Sequence, residues 1–88
     1  MSAITIYTTR FCPYCVSAKE LLRRKEVAFD EIDVSGDQAG RRAMAERSNG
    51  RTTVPQIFIG DHHIGGCDDL YDLDDAGQLD RLLVPSTA

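Results

Sequence analysis

Apolar and polar positions along the chain change period several times, and each change marks an element. Ile4–Thr8 alternates and is rich in β-branched and aromatic residues, so it predicts a strand. Pro13 sits where a helix can begin. Val16, Ala18, Leu21 and Leu22 then mark a helical face running to about Lys25. Over Val27–Val34, Val27, Phe29 and Ile32 alternate with Asp30, Glu31 and Asp33, which predicts a second strand. Ser35-Gly36-Asp37 is a turn, and Asp37 or Ser35 is placed to cap the next helix, Gln38–Arg47. Ala39, Ala43 and Met44 give that helix a thin apolar face, and Asn49-Gly50 ends it.

The second half begins with a strand, Gln56–Ile59, followed by a turn at Gly60-Asp61. A short strand at His62–Ile64 completes a hairpin. Gly65-Gly66 ends it, a helix runs from about Asp68 to Asp75, and Gln78–Leu83 forms a last helix with Leu79, Leu82 and Leu83 inward. The order β-α-β-α-β-β-α-α opens with a parallel pair joined by a right-handed crossover. The hairpin adds an antiparallel pair. The expectation is an α/β fold with one mixed four-stranded sheet flanked by helices. Eighty-eight residues make one domain, residues 1–88.

Charge adds a constraint. Fourteen acidic against ten basic residues give a net charge of −4, which argues against a nucleic-acid binder. Arg41, Arg42, Arg47 and Arg51 cluster mid-chain, and Asp68, Asp69, Asp72, Asp74, Asp75 and Asp80 near the end; both runs read as solvated helix faces. No apolar run approaches the ~20 residues that cross a bilayer. No basic segment leads into an apolar stretch at the N-terminus. A cytoplasmic protein without membrane contact is expected. Three cysteines in a reducing compartment do not make a disulfide framework, so a close pair there is catalytic or metal-binding.

That pair is Cys12-Pro13-Tyr14-Cys15, between the first strand and the first helix. Two intervening residues bring both sulfurs onto one helical turn. The first sulfur meets unpaired N–H groups and the positive end of the helix dipole. Sulfur at such a tip is favoured as thiolate. Lower basicity makes a thiolate a weaker attacker but a better leaving group, at a Brønsted slope of about 0.4–0.5, which suits an enzyme that must be regenerated. Cys15, one turn in, is expected to hold its proton more tightly. The competing reading is half of a zinc site; only Cys67, His62 and His63 could complete one, at no common spacing, so no metal is expected. His62 and His63 alternate across a strand, so at least one faces solvent.

Two further motifs are ambiguous alone. In Thr53-Val54-Pro55 the proline is either a simple strand-entry residue or a cis proline. In Gly65-Gly66-Cys67-Asp68-Asp69, the glycines let a ligand approach the backbone, and the helix start offers an anion site. Asp68 or Asp69 serves equally as a plain cap.

Together the three motifs, in this order and at these separations, resemble the glutaredoxin family, over about Ile4 to Leu83, and most of all its small bacterial glutaredoxin 3 type. The resemblance implies a thioredoxin-like fold and glutathione-dependent reduction of disulfide-containing and glutathionylated proteins. It implies Cys12 as nucleophile, Cys15 as resolving thiol and Pro55 as a cis proline. The Val54 backbone would pair with the cysteinyl part of glutathione, with Thr53 beside it. N–H groups of Cys67 and Asp68, next to Gly66, would hold the γ-glutamyl carboxylate, and the Asp68 carboxylate its ammonium. Tyr14 would flank the bound sulfur. Many members carry lysine where this chain has Thr9; Arg10 and Arg47 are the candidates to replace that charge. Phe11 is a candidate to pack at the mouth of the site, and Cys67 is an accessory thiol. A monomer is expected. Two alternatives are weaker. A thioredoxin-like donor reduced by a flavoprotein reductase fits poorly, because the chain has no Trp before the motif. An iron–sulfur cluster carrier fits poorly because of Pro13 and Cys15.

Overall fold

A computed structural model of the chain describes residues 3–83. The ends of the expected 1–88 domain, residues 1–2 and 84–88, lie outside the described residues. The elements run β1 (Ile4–Thr8), α1 (Pro13–Arg24), β2 (Asp30–Asp33), α2 (Gln38–Arg47), β3 (Gln56–Ile59), β4 (His62–Gly65), α3 (Cys67–Asp75) and α4 (Leu79–Leu83). The sheet order is β2-β1-β3-β4, with β1 parallel to β2 and antiparallel to β3, and β3 antiparallel to β4. Among the described residues no helix is long and apolar enough to cross a membrane.

Alternation along β1 and β3 divides the core. Ile4, Ile6, Ile57 and Ile59 pack with Ala18, Leu21 and Leu22 of α1, Leu70 of α3 and Leu79 of α4. Tyr7 and Phe58 point the other way, onto Val34 and Met44 of α2. Each fully buried aliphatic side chain is worth about 1.5–3 kcal/mol. A surface ion pair is worth about 0–1 kcal/mol. The two clusters therefore hold the sheet and helices together, and ion pairs such as Lys25 with Asp74 (2.6 Å) and Asp80 (2.9 Å) orient the helix ends.

Three expectations need correction. The second strand spans Asp30–Asp33 instead of Val27–Val34, because β1 offers it pairing only from Thr5↔Asp30 to Thr8↔Asp33. Val27 and Phe29 leave the ladder and pack on the larger cluster. On α2, Ala39 and Ala43 are exposed; the inward row is Gly40, Met44 and Ser48, one helical turn apart. At Gly40 a Cβ would run into the Asp37 side chain and lie 3.1 Å from Val34 Cγ1, so glycine lets the helix sit close. Finally, α3 begins at Cys67, a residue earlier than expected, with Gly66 as its N-cap. Asp37 caps α2 by accepting the Gly40 N–H at 2.9 Å, while Ser35 Oγ accepts the Arg10 N–H instead.

Candidate active site

Cys12 is the N-cap of α1, with extended backbone (φ −127°, ψ 102°) and Pro13 at the first helical position. Its Sγ accepts the Cys15 N–H at 3.2 Å, doing what a Ser or Asp oxygen does at most caps. Such a bond strengthens when the acceptor is an anion. On its other side the sulfur lies 3.8 Å from the Val54 carbonyl oxygen, to which a thiol S–H donates.

Cys15 faces inward and is only 1% exposed. Burial, and then its contact with Cys12, push its thiol up to about 12; the Thr9 N–H and Lys19 pull weakly the other way. Chemically the pair is divided: an accessible sulfur at the helix tip and a buried, protonated one beneath it.

An open cleft of about 150 Å³ runs from this tip. Tyr14 forms one wall, and Thr53, Val54 and Pro55 another, with Val54–Pro55 cis. The floor is the start of α3, with Gly66, Cys67 and Asp68. Gly66 donates its N–H to Asp69 Oδ2 at 2.9 Å. The next amides, on Cys67 and Asp68, have no partner within the helix and favour an anion in front of them. The Cys67 thiol is pushed up by burial, then by Asp68 and Cys12, so it lines the cleft as a neutral group.

All seven non-arginine residues expected to bind ligand therefore line one cleft, and Cys12 stands at its lip through the Val54 carbonyl. The two candidate arginines are not there. Arg10 lines a separate groove with Thr9, Phe11, Ser35 and Gly36, and Phe11 is 94% exposed and does not close the cleft. The Arg47 guanidinium lies 4.1 Å over the Phe58 ring and donates to the Tyr7 hydroxyl and the Gly60 carbonyl. A long side chain next to a buried aromatic face covers it before reaching into solvent.

The cation that does line the cleft is Arg51, which pairs with Asp69 at 3.1 Å. Both side chains are 45% exposed, so the pair orients the guanidinium more than it stabilises the fold. The Gly66 N–H, and next Arg51, hold the Asp69 carboxyl below its ordinary value. A Cβ at Gly65 (φ +117°) would collide with the Asp69 carboxylate and come within 2.8 Å of Arg51 Nη1, so glycine is required there. Sequence reasoning grouped Arg51 with the solvated arginines, because its place at the cleft comes from the long-range pairing with Asp69.

Comparison with known proteins agrees with this geometry. The glutaredoxin family's sequence profile matches residues 4–64. Glutaredoxin 3 of Escherichia coli K12 is 58% identical over 83 residues, covering 94% of this chain and 99% of that protein. The solution structure of Brucella melitensis glutaredoxin superposes with a TM-score of 0.83 at 57% identity, over 94% of this chain and 89% of that one. A crystal structure of a buckwheat glutaredoxin–glutathione complex gives a TM-score of 0.84 at 28% identity, over 93% and 76% of the two chains. The dithiol tip and its cleft thus sit on a thioredoxin-like fold, and the chain belongs to the glutaredoxin family of glutathione-dependent thiol–disulfide oxidoreductases.

Proposed function

We propose that Cys12 and Cys15 are the catalytic pair and that the cleft from Tyr14 to Asp68 holds glutathione. The observation that carries this reading is the convergence of Tyr14, Thr53, Val54, Gly66 and Asp68 on one open cleft at the lip of which Cys12 stands. The buckwheat protein's complex with glutathione supports the choice of ligand. An extended tripeptide alongside Val54 would add main-chain pairing. One carboxylate would face the amides that open α3, and Arg51 supplies a cation in the same cleft.

On a protein–glutathione mixed disulfide, the Cys12 thiolate attacks the glutathionyl sulfur. The S–S bond breaks, and the protein leaves as a thiolate that takes a proton from water. A second glutathione, as thiolate, attacks the glutathionyl sulfur on Cys12; oxidised glutathione departs and the Cys12 thiolate returns. On a protein disulfide, Cys12 forms the mixed disulfide and Cys15, losing its proton, attacks the Cys12 sulfur. The protein is released as a dithiol, and two glutathiones reduce the Cys12–Cys15 disulfide. The chain would do this as a monomer in the cytosol.

An assay coupled to glutathione reductase tests the assignment. Cys12→Ser should abolish both reactions, and Cys15→Ser should lose protein-disulfide reduction while keeping deglutathionylation. Loss of deglutathionylation in Cys15→Ser, or wild-type turnover only with a flavoprotein reductase and no glutathione, would contradict it.

A further inference from the structure

The segment between Arg51 and Val54 belongs to no strand, yet side chains hold its carbonyls. Arg41 donates to the Thr52 carbonyl at 3.2 Å, Gln56 Nε2 to the Thr53 carbonyl at 3.0 Å, and the Cys12 thiol approaches that of Val54. Gln56 is the unexpected member. It is fully buried in β3, where an unpaired amide is costly. Its amide is committed on both sides. Nε2 also donates to Thr53 Oγ1 at 3.3 Å, and Oε1 lies 2.7 Å from His63 Nε2. Because Oε1 only accepts, His63 Nε2 carries the proton.

The imidazole is held in its own way. It stacks on Phe58 with centroids 4.9 Å apart and planes at 28°, and the Arg47 guanidinium lies over the same Phe58 ring. Burial first, then Arg51 and His62, favour the neutral ring, with Asp69 opposing them.

This chain of bonds has a direction. With its oxygen already accepting from Gln56, the Thr53 hydroxyl is left with a free proton to donate. Thr53 is exposed and lines the cleft. We infer that Gln56 and His63 are positioning residues: through Thr53 they aim a hydroxyl into the cleft and fix the main chain leading to Val54. The inference rests on the cleft being the glutathione site. Without His63 the Gln56 amide is free to rotate, which turns an acceptor toward the Thr53 carbonyl, another acceptor.

The test uses His63→Phe, which keeps the ring stack, and Gln56→Met, which keeps the volume. The probe is a glutathionylated peptide turned over at saturating glutathione. Loss of one or two net hydrogen bonds should raise KM about 3–10-fold. The kcat should stay within twofold, because Cys12 is untouched. Thr53→Ala should cost less in the His63→Phe background than alone, since the two act through one network. Unchanged KM in folded His63→Phe protein overturns the inference. So does a rise in KM accompanied by parallel losses of kcat and Tm, which would make the pair ordinary packing. If Gln56→Met does not fold, His63→Phe decides alone. A wild-type protein that leaves the glutathionylated peptide intact defeats the functional reading and this inference with it; a wild-type that turns it over confines any failure to the positioning roles.

Discussion

Cys15 shows how one side chain's surroundings set its chemistry. Its thiol is pushed up to about 12, chiefly by burial, so near neutral pH it stays protonated. Iodoacetamide under native conditions should therefore label Cys12 and spare Cys15 and Cys67, the latter also buried and raised. Mass spectrometry should find one added group on the folded chain and three on the denatured one. Rapid native labelling of the Cys15 peptide would mean that the burial seen here is wrong. Cys12 also contributes to the shift through its hydrogen bond and charge. In the proposed cycle a mixed disulfide on Cys12 removes that contribution, so Cys15 would ionise more readily for the resolving attack assigned to it.

At the scale of elements, α2 depends on one side chain. Met44 is its only fully buried residue among the four that form the smaller cluster. Met44→Ala should cost about 2–4 kcal/mol in urea unfolding. Ala43→Ser, one position earlier on the exposed face, should change stability by less than about 0.5 kcal/mol. Equal effects would mean that the apolar-face reading, with Ala39 and Ala43 inward, was correct after all. The element order was legible in the sequence because each segment has one dominant period. The inward face of α2 was not, because its row uses Gly40 and Ser48, whose small or polar side chains give hydropathy no signal. The end of β2 was not either, since a strand's length is set by its partner. In the site, Thr53, Val54 and Gly66 were legible as motifs. Arg51, Gln56 and His63 were not, because their roles come from contacts across β3, β4 and α3.

For the whole molecule, stability should peak at mildly alkaline pH. The Asp69, Glu31 and Asp33 carboxyls are lowered, first by the Gly66 N–H, the Thr8 hydroxyl and the Ser35 N–H respectively. Each contributes stability that is complete above the unfolded values of 3.8–4.5 and is lost as pH falls through the folded ones. His63 is lowered by burial, so the unfolded chain takes up its proton first and stability declines below 6.5. Cys15 is raised, so above 9.0 the unfolded chain loses its proton first, and stability falls as pH climbs toward 12. Lys25, raised by Asp74 and then Asp80, adds to that loss above 10.5. Melting curves by circular dichroism, in reductant, should therefore show a plateau between about pH 7 and 9 with declines on both sides. A maximum at pH 5 would refute this assignment.

One of the two edge strands of the sheet, β2, carries a further consequence. β2 is exposed along its whole length, and Asp30 and Asp33 stand at its two ends. Proteins awaiting repair of their sulfur bonds often arrive loosened, with bare backbone eager to add onto any open sheet. An acidic rim denies them that foothold and discourages stacking of copies into fibres. At this edge, then, charge keeps the open backbone from becoming a landing place for other chains.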